Sequence, residues 1–168
     1  PVVIDLEITK VTIGEDDKEA KFEIGEPTEL LGSSLTVSIS PETKLVKIHY
    51  KTTENTEALQ FLNAQQTAGK NHPYLFSQGE AILTRTWIPC QDTPGNRITY
   101  SAEVTVPKEL LAVMSADNPQ EKNETGVYHF EMKNPIPSYL IAIAVGDLEF
   151  HSLGDRTGVY AEPSMVTA

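Results

Sequence analysis

The chain of 168 residues is long enough for one domain with a sizeable core, and its 39% hydrophobic and 22% charged residues are ordinary for a globular protein. Its 13 Lys and Arg against 24 Asp and Glu give a net charge of −11, which argues against nucleic acid and anionic membranes as partners. No apolar run approaches the roughly 20 residues that span a bilayer. The single cysteine, Cys90, excludes an internal disulfide and fits a reducing compartment, so we expect a cytoplasmic protein.

The first third of the chain alternates apolar and polar residues, which is the pattern of half-buried strands. Strand-like runs lie at residues 4–13, 20–24, 35–39 and 46–50. In the first run the apolar positions shift from Leu6 and Ile8 to Val11 and Ile13, which predicts a bulge near Lys10. Such runs, separated by short polar or proline-containing turns, are typical of antiparallel strands.

The rest of the chain carries further strand patterns. Residues 97–106 are the clearest, with alternate apolar side chains on one face, and shorter runs lie at 127–132, 148–151 and 158–160. The continuously apolar run 139–145 predicts a central strand covered on both faces. Two segments, 54–70 and 81–88, are ambiguous between strand and helical turn. We therefore predict an all-β fold, a two-sheet β-sandwich of about ten short, mostly antiparallel strands.

One stretch, residues 75–81, departs from simple alternation. Gln78 and Glu80 stand two apart, so in an extended backbone both side chains leave the same face. Gly79 between them has no Cβ, which lets another backbone or a ligand come close. An amide beside a carboxylate can hold a cationic amine through charge-assisted hydrogen bonds. The alternative is an exposed strand whose side chains contact only water.

The residues that usually hold a metal or act as nucleophiles form no recognisable motif. No two of the four histidines stand four apart, and none lies in a helical pattern, so we expect this segment to bind no zinc. Neither Ser77 nor Ser138 lies in a Gly-x-Ser-x-Gly elbow, and Cys90 has no histidine nearby in sequence. We interpret Cys90 as a small buried apolar residue.

Several residues after the Gln-Gly-Glu stretch are predicted to be structural. They are Arg85, Trp87, Asp92 and Pro94. Asp92 stands two residues before a proline in a turn-rich loop, where an aspartate commonly caps backbone N–H groups.

Four motifs carry a resemblance to a known family. They read His-Pro-Tyr-Leu-Phe-Ser-Gln at 72–78, Pro-Cys-Gln-Asp-Thr-Pro at 89–94, Val-x-Val-Pro-Lys-Glu-Leu at 104–110 and Pro-Ile-Pro-Ser-Tyr-Leu-Ile-Ala at 135–142. With these motifs the chain resembles the zinc aminopeptidases of the aminopeptidase N family, most closely the leukotriene A(4) hydrolase branch. The resemblance is to the N-terminal domain of that family.

The resemblance implies that residues 1–168 are the N-terminal β domain, trimmed at both ends, of a longer zinc aminopeptidase. The zinc of the parent enzyme, with its His-Glu-x-x-His motif, would then belong to a C-terminal catalytic domain of the same protein outside this chain, and the segment alone would be inactive. In the family this domain caps the active-site cleft, so the partner is a peptide with a free N-terminus. Glu80 would bind the α-amine of that peptide, Gln78 would line the first side-chain pocket, and Ala81 would lie at the same rim.

The chain departs from the resembled branch at one of these positions. In the animal leukotriene A(4) hydrolases the position that corresponds to Glu80 is a glutamine, whereas this chain has the glutamate of ordinary aminopeptidases. The resemblance therefore favours peptide substrates over lipid epoxides.

Two other interpretations of the same sequence stay open. In one of them the chain is an autonomous β-sandwich module that binds proteins or sugars through its loops. In the other it is a purely structural domain. A His-Glu-x-x-His motif within roughly 150 residues after Ala168 would favour the aminopeptidase. An unrelated downstream domain would favour the binding module.

Overall fold

The computed structural model describes residues 2–3, 6–29 and 31–166. Within these ranges the strands are β1 (Val2–Val3), β2 (Glu7–Ile13), β3 (Lys18–Glu19), β4 (Phe22–Ile24), β5 (Ser33–Val37), β6 (Val46–Lys51), β7 (Leu59–Leu62), β8 (Tyr74–Ser77), β9 (Arg97–Thr105), β10 (Leu111–Met114), β11 (Val127–Pro137), β12 (Ile143–Gly146), β13 (Glu149–Gly154) and β14 (Thr157–Ala161). Three 3-10 turns span Ala64–Gln66, Thr84–Thr86 and Ser138–Leu140, and helix α1 spans Pro163–Val166. Ile4, part of the first predicted strand, lies outside the described residues.

The N-terminal strands form two small antiparallel sheets that face each other. One sheet has the order β1-β5-β4 and the other β3-β2-β6. Leu6 and Leu35 are buried between them, with apolar side chains of β2, β4, β5 and β6 packed around this pair. The register of β2 against β6 shifts between Ile8 and Lys10, which confirms the predicted bulge.

The C-terminal strands build the larger core. A four-stranded antiparallel sheet has the order β10-β12-β8-β7, and the two-stranded ribbon β9–β11 supplies the facing side chains. The buried residues are Leu110, Leu111, Ala112, Tyr128, Phe130, Val145 and Leu148. Strand β9 confirms the predicted strand at residues 97–106, and the last hairpin, β13–β14, confirms the predicted strands at residues 148–160.

The predicted central strand at residues 139–145 is only half right. Strand β12 does lie between β10 and β8, but it starts at Ile143. The preceding residues form the turn Ser138–Leu140, where the Ile141 N–H donates to the Ser138 carbonyl at 2.9 Å and Leu140 is 47% exposed. A continuous apolar run does not distinguish a strand from a turn, because neither alternation nor helical period is visible in it.

The ambiguous segments resolve into short pieces of different type. Residues 59–62 form β7, and the next three form a 3-10 turn capped by the Asn63 side chain. Residues 80–83 form a turn that leads directly into the 3-10 turn Thr84–Thr86. Such one-turn elements are too short for a hydrophobic period to identify.

The all-β prediction is confirmed. All strand pairs in the described part of the chain are antiparallel, and two sheet-on-sheet cores replace the single pair of sheets expected from sequence. Residues 2–3, 6–29 and 31–166 contain fourteen strands rather than about ten, partly because β1 and β3, at two residues each, are too short to show an alternating pattern. Within the described residues no helix is long and apolar enough to cross a bilayer.

Candidate functional site

The site loop, defined as residues 78–81, begins where β8 ends. The Ser77 hydroxyl oxygen accepts a hydrogen bond from the Ile143 N–H at 2.9 Å. The Gln78 N–H donates to the Ala58 carbonyl at 2.8 Å. These bonds satisfy the backbone carbonyl of Ala58, just before β7, and the N–H of Ile143 in β12, so the start of the loop is bonded to neighbouring segments on both sides.

The extended backbone predicted across Gln78 and Glu80 is wrong. The Gln78 side-chain oxygen accepts the Glu80 N–H at 3.0 Å, and the Leu83 N–H donates to the Gly79 carbonyl at 2.9 Å. The chain therefore turns at Glu80, because a polar side chain offers its backbone a partner that competes with strand pairing. The peptide bond between Glu80 and Ala81 is cis.

All three predicted binding residues lie at the surface. Gln78, Glu80 and Ala81 are exposed. Within the described part of the chain no Lys, Arg or His forms an ion pair with the Glu80 carboxylate. This carboxylate is therefore available to a cation that arrives from outside the domain.

Gly79 is buried although its two neighbours in the loop are exposed. A Cβ at this position would lie 2.8 Å from the Tyr139 carbonyl oxygen and 2.7 Å from Thr84 Oγ1. Any larger residue would push the site loop away from the turn Ser138–Leu140. The close backbone approach predicted at Gly79 is confirmed.

The 3-10 turn beneath the site loop is buried and contains two threonines with different environments. The Thr86 hydroxyl donates to the Leu83 carbonyl at 2.7 Å, accepts the Ala58 N–H at 3.1 Å and lies 3.1 Å from Thr56 Oγ1. Thr84 Oγ1 has no hydrogen-bond partner among the described residues. The Thr86 hydroxyl therefore bonds the turn to neighbouring backbone, whereas the Thr84 hydroxyl contributes packing without a hydrogen bond.

Arg85 and Asp92 form a buried ion pair next to this turn. Asp92 Oδ2 accepts Arg85 Nε at 3.2 Å and the Arg85 N–H at 3.0 Å. The guanidinium also donates to the carbonyls of Asp92 and Leu31, at 2.8 Å and 3.0 Å. The two side chains are 4% and 1% exposed, so the pair depends on this complete set of hydrogen bonds. The predicted capping of backbone by Asp92 is confirmed.

Ser138 joins this pair from 46 residues away in sequence. Its buried hydroxyl donates to Asp92 Oδ1, and it begins the turn whose Tyr139 backbone packs against Gly79. No local pattern in the sequence indicates this bond, because its two residues lie in different motifs. We call Arg85, Asp92 and Ser138 the buried support.

Cys90 and Trp87 lie between Arg85 and Asp92 in sequence. Burial, followed by the charge of Asp92, raises the pKa of the partly buried Cys90 thiol to about 12. The thiol is therefore protonated at neutral pH and is a poor nucleophile. The Trp87 indole N–H is buried without a partner among the described residues.

The described residues do not fit a metal ion. Across residues 2–3, 6–29 and 31–166, no group of three or more His, Cys, Asp or Glu side chains is placed to hold one. We therefore assign no metal ligand and no metal-dependent step to these residues.

Comparison with known proteins identifies the domain. The model of the peptidase M1 N-terminal domain matches residues 4–140. The chain is similar to leukotriene A-4 hydrolase of Xenopus laevis, with 42% identity over 172 residues that cover 96% of this chain and 28% of that protein. It is also similar to leucine aminopeptidase 2 of Yarrowia lipolytica, with 42% identity over 161 residues that cover 94% of this chain and 24% of that protein. The chain thus spans about a quarter of the length of these curated relatives.

Solved structures share the fold. Native yeast LTA4 hydrolase matches with a TM-score of 0.87 at 40% identity, over 97% of this chain and 25% of that chain. The M1 zinc metallopeptidase of Deinococcus radiodurans matches with a TM-score of 0.64 at 20% identity, over 95% of this chain and 37% of that chain. This likeness extends to the fold alone. The family predicted from the motifs is confirmed, and this chain belongs to the peptidase M1 N-terminal domain family.

Proposed function

We propose that this chain is the N-terminal domain of a zinc-dependent aminopeptidase that removes N-terminal residues from peptides. The domain caps the active-site cleft of a C-terminal catalytic domain in the same protein and supplies the group that binds the substrate α-amine. Support comes from the family, from relatives named leucine aminopeptidase and leukotriene A-4 hydrolase, and from the length of those relatives beyond the matched segment. A cytoplasmic location stays a prediction.

The observation that carries the proposal is the Glu80 carboxylate. It is exposed, and within the described part of the chain no cation pairs with it. An α-ammonium that leaves water beside this carboxylate gains a charge-assisted hydrogen bond, whereas a blocked N-terminus forfeits it. Because the loop is packed through Gly79, the carboxylate also sets which peptide bond reaches the reaction centre.

Gln78 and Ala81 act around this carboxylate. The Gln78 side-chain oxygen already holds the Glu80 N–H, so Gln78 stiffens the turn while it lines the first side-chain pocket. Ala81 follows Glu80 at the same exposed rim and leaves room for a substrate because its side chain is small. A glutamate rather than a glutamine at position 80 favours peptides over lipid epoxides, because a full negative charge binds an ammonium more strongly than an amide does.

Zinc belongs to the proposed parent enzyme rather than to this segment. The described residues offer no set of ligands, so the metal would be held by the catalytic domain and would activate the attacking water there. The role of this chain's own residues is to bind and orient the amine end of the peptide.

A kinetic comparison in the full-length enzyme tests the proposal. We expect Glu80→Ala to lower kcat/KM for an amino-acid amide at least tenfold, about 1.4 kcal/mol of transition-state binding, because the ammonium loses its charged partner. Glu23→Ala, at an exposed position on β4, serves as the control and should leave kcat/KM unchanged. Unchanged kinetics in Glu80→Ala would reject the assignment.

A further inference from the structure

The Asp92 carboxylate is hydrogen-bonded to two segments that pack around the site loop, the 3-10 turn Thr84–Thr86 and the 3-10 turn Ser138–Leu140. Its Oδ2 accepts the backbone N–H and the Nε of Arg85, and its Oδ1 accepts the hydroxyl of Ser138. All three residues are buried. Asp92 thus connects two segments that are far apart in sequence.

The first of these segments follows the site loop in the chain. The turn at Glu80 is closed by the bond from the Leu83 N–H to the Gly79 carbonyl at 2.9 Å, and the chain then enters the 3-10 turn that contains Arg85. Because Asp92 accepts the Arg85 N–H at 3.0 Å, the chain is anchored in the 3-10 turn that follows the site loop, five residues after Glu80.

The second segment is the wall on which the site loop rests. Ser138 begins the 3-10 turn that contains Tyr139, and the Tyr139 backbone occupies the space where a Cβ of Gly79 would lie. A shift of Ser138 would therefore move the surface against which Gly79 packs. Asp92 is hydrogen-bonded to both segments, to Arg85 on one side and to Ser138 on the other.

Stability alone gives little reason for this arrangement. A buried ion pair adds little net stability, because the two charges lose their hydration, and apolar residues of similar volume often stabilise a protein as well or better. A network of charged hydrogen bonds does fix the relative positions of the groups that it joins, since each hydrogen bond is directional.

We propose that Asp92 is a positioning residue for substrate binding, which acts through Arg85 and Ser138 to hold the Glu80 carboxylate where the peptide amine binds. This inference rests on the proposed function. It predicts that loss of Asp92 impairs recognition of the amine specifically, rather than binding of the rest of the substrate.

Two inhibitors that differ only in the amine measure this recognition in the full-length enzyme. They are leucine hydroxamate and its analogue without the α-amine, and the ratio of their inhibition constants reports the contribution of the amine. We call this ratio the amine selectivity and expect Glu80→Gln to lower it at least tenfold. Asp92→Asn should lower it about fivefold, since even a small displacement of a binding group weakens the interaction. The analogue should bind all variants alike.

A double variant separates positioning from general damage. If Asp92 acts through Glu80, Asp92→Asn should reduce selectivity little further in the Glu80→Gln background. Asp17→Asn serves as the control, because Asp17 lies in the turn before β3, pairs with Lys47 of β6 and should leave selectivity intact. Where Asp92→Asn fails to fold, Ser138→Ala removes one bond to the same carboxylate and should lower selectivity about threefold.

The outcomes distinguish the inference from the function on which it rests. Unchanged selectivity in Glu80→Gln overturns the proposed function and the inference with it. Lost selectivity in Glu80→Gln, with intact selectivity in folded Asp92→Asn or Ser138→Ala, overturns the inference alone. An equal loss of affinity for both inhibitors in the Asp92 and Ser138 variants also overturns it, because that result indicates a merely structural role.

Discussion

The site loop and the buried support differ in exposure and in the pairing of their charges. Gln78, Glu80 and Ala81 are exposed, and the Glu80 carboxylate has no charged partner within the described part of the chain. A few residues away, Arg85 and Asp92 are almost completely buried, and their charges are paired. Under the proposed function this difference is a division of roles, in which the exposed carboxylate binds the ligand and the buried carboxylate holds the first in place.

The largest effect should come from breaking the buried pair. Arg85→Met leaves the Asp92 carboxylate buried without its cation, which should destabilise the region by about 3–5 kcal/mol. Hydrogen exchange of the amides in residues 78–92 of the full-length protein measures this local opening. The exposed pair Asp17–Lys47 provides the contrast, because water already solvates both partners.

The control for that experiment is Lys47→Met. Lys47 lowers the pKa of the Asp17 carboxyl by a hydrogen bond, but both side chains are substantially exposed, so hydrogen exchange should not change measurably. Equal effects of Arg85→Met and Lys47→Met would show that burial does not distinguish the two regions.

A smaller effect should separate the two buried threonines. Thr86→Val leaves the buried Ala58 N–H without its acceptor and removes one of the two hydrogen bonds to the Leu83 carbonyl, which should cost about 2 kcal/mol. Thr84→Val replaces a hydroxyl that has no partner among the described residues, so it should be neutral or slightly stabilising. Local hydrogen exchange checks both variants, and an equal loss in Thr84→Val would contradict the assigned bonds.

The smallest effect concerns Cys90, which should be inert although it lies beside the charges of the buried support. With its thiol pKa raised from 9.0 to about 12, the thiolate fraction at pH 8 is lower by roughly three orders of magnitude than in an unfolded chain. Alkylation by iodoacetamide, followed on the peptide that contains Cys90, should be correspondingly slow in the native protein. Labelling at the rate of the unfolded protein would show that the thiol is not shielded.

The same raised pKa gives a direction for pH dependence. The thiol ionises more readily in the unfolded chain than in the fold, so its contribution to stability is complete below about pH 9 and is lost as the pH rises toward 12. Labelling of native Cys90 should therefore accelerate in the same range.

Sequence predicted the parts of the fold that follow from local periodicity. Strand β9 and the bulge between Ile8 and Lys10 were both visible, because alternation and its interruption are properties of neighbouring residues. Gly79 was also correctly expected to allow a close approach, since only the absence of a side chain is needed for that prediction.

The parts that sequence did not predict depend on side-chain bonds or on distant partners. The turn at Glu80 follows from the Gln78 side chain, which replaces strand pairing by a local hydrogen bond. The bond between Ser138 and Asp92 joins residues 46 apart, so no local pattern indicates it.

A crystal structure of the full-length enzyme with a bound amino-acid amide tests the central claim most directly. The claim is that the Glu80 carboxylate binds the free α-amine of the substrate. We expect the amine nitrogen to lie about 2.7–2.9 Å from a Glu80 carboxylate oxygen, as in other charge-assisted hydrogen bonds. An amine bound by a different acidic residue, with Glu80 facing water, would contradict the account.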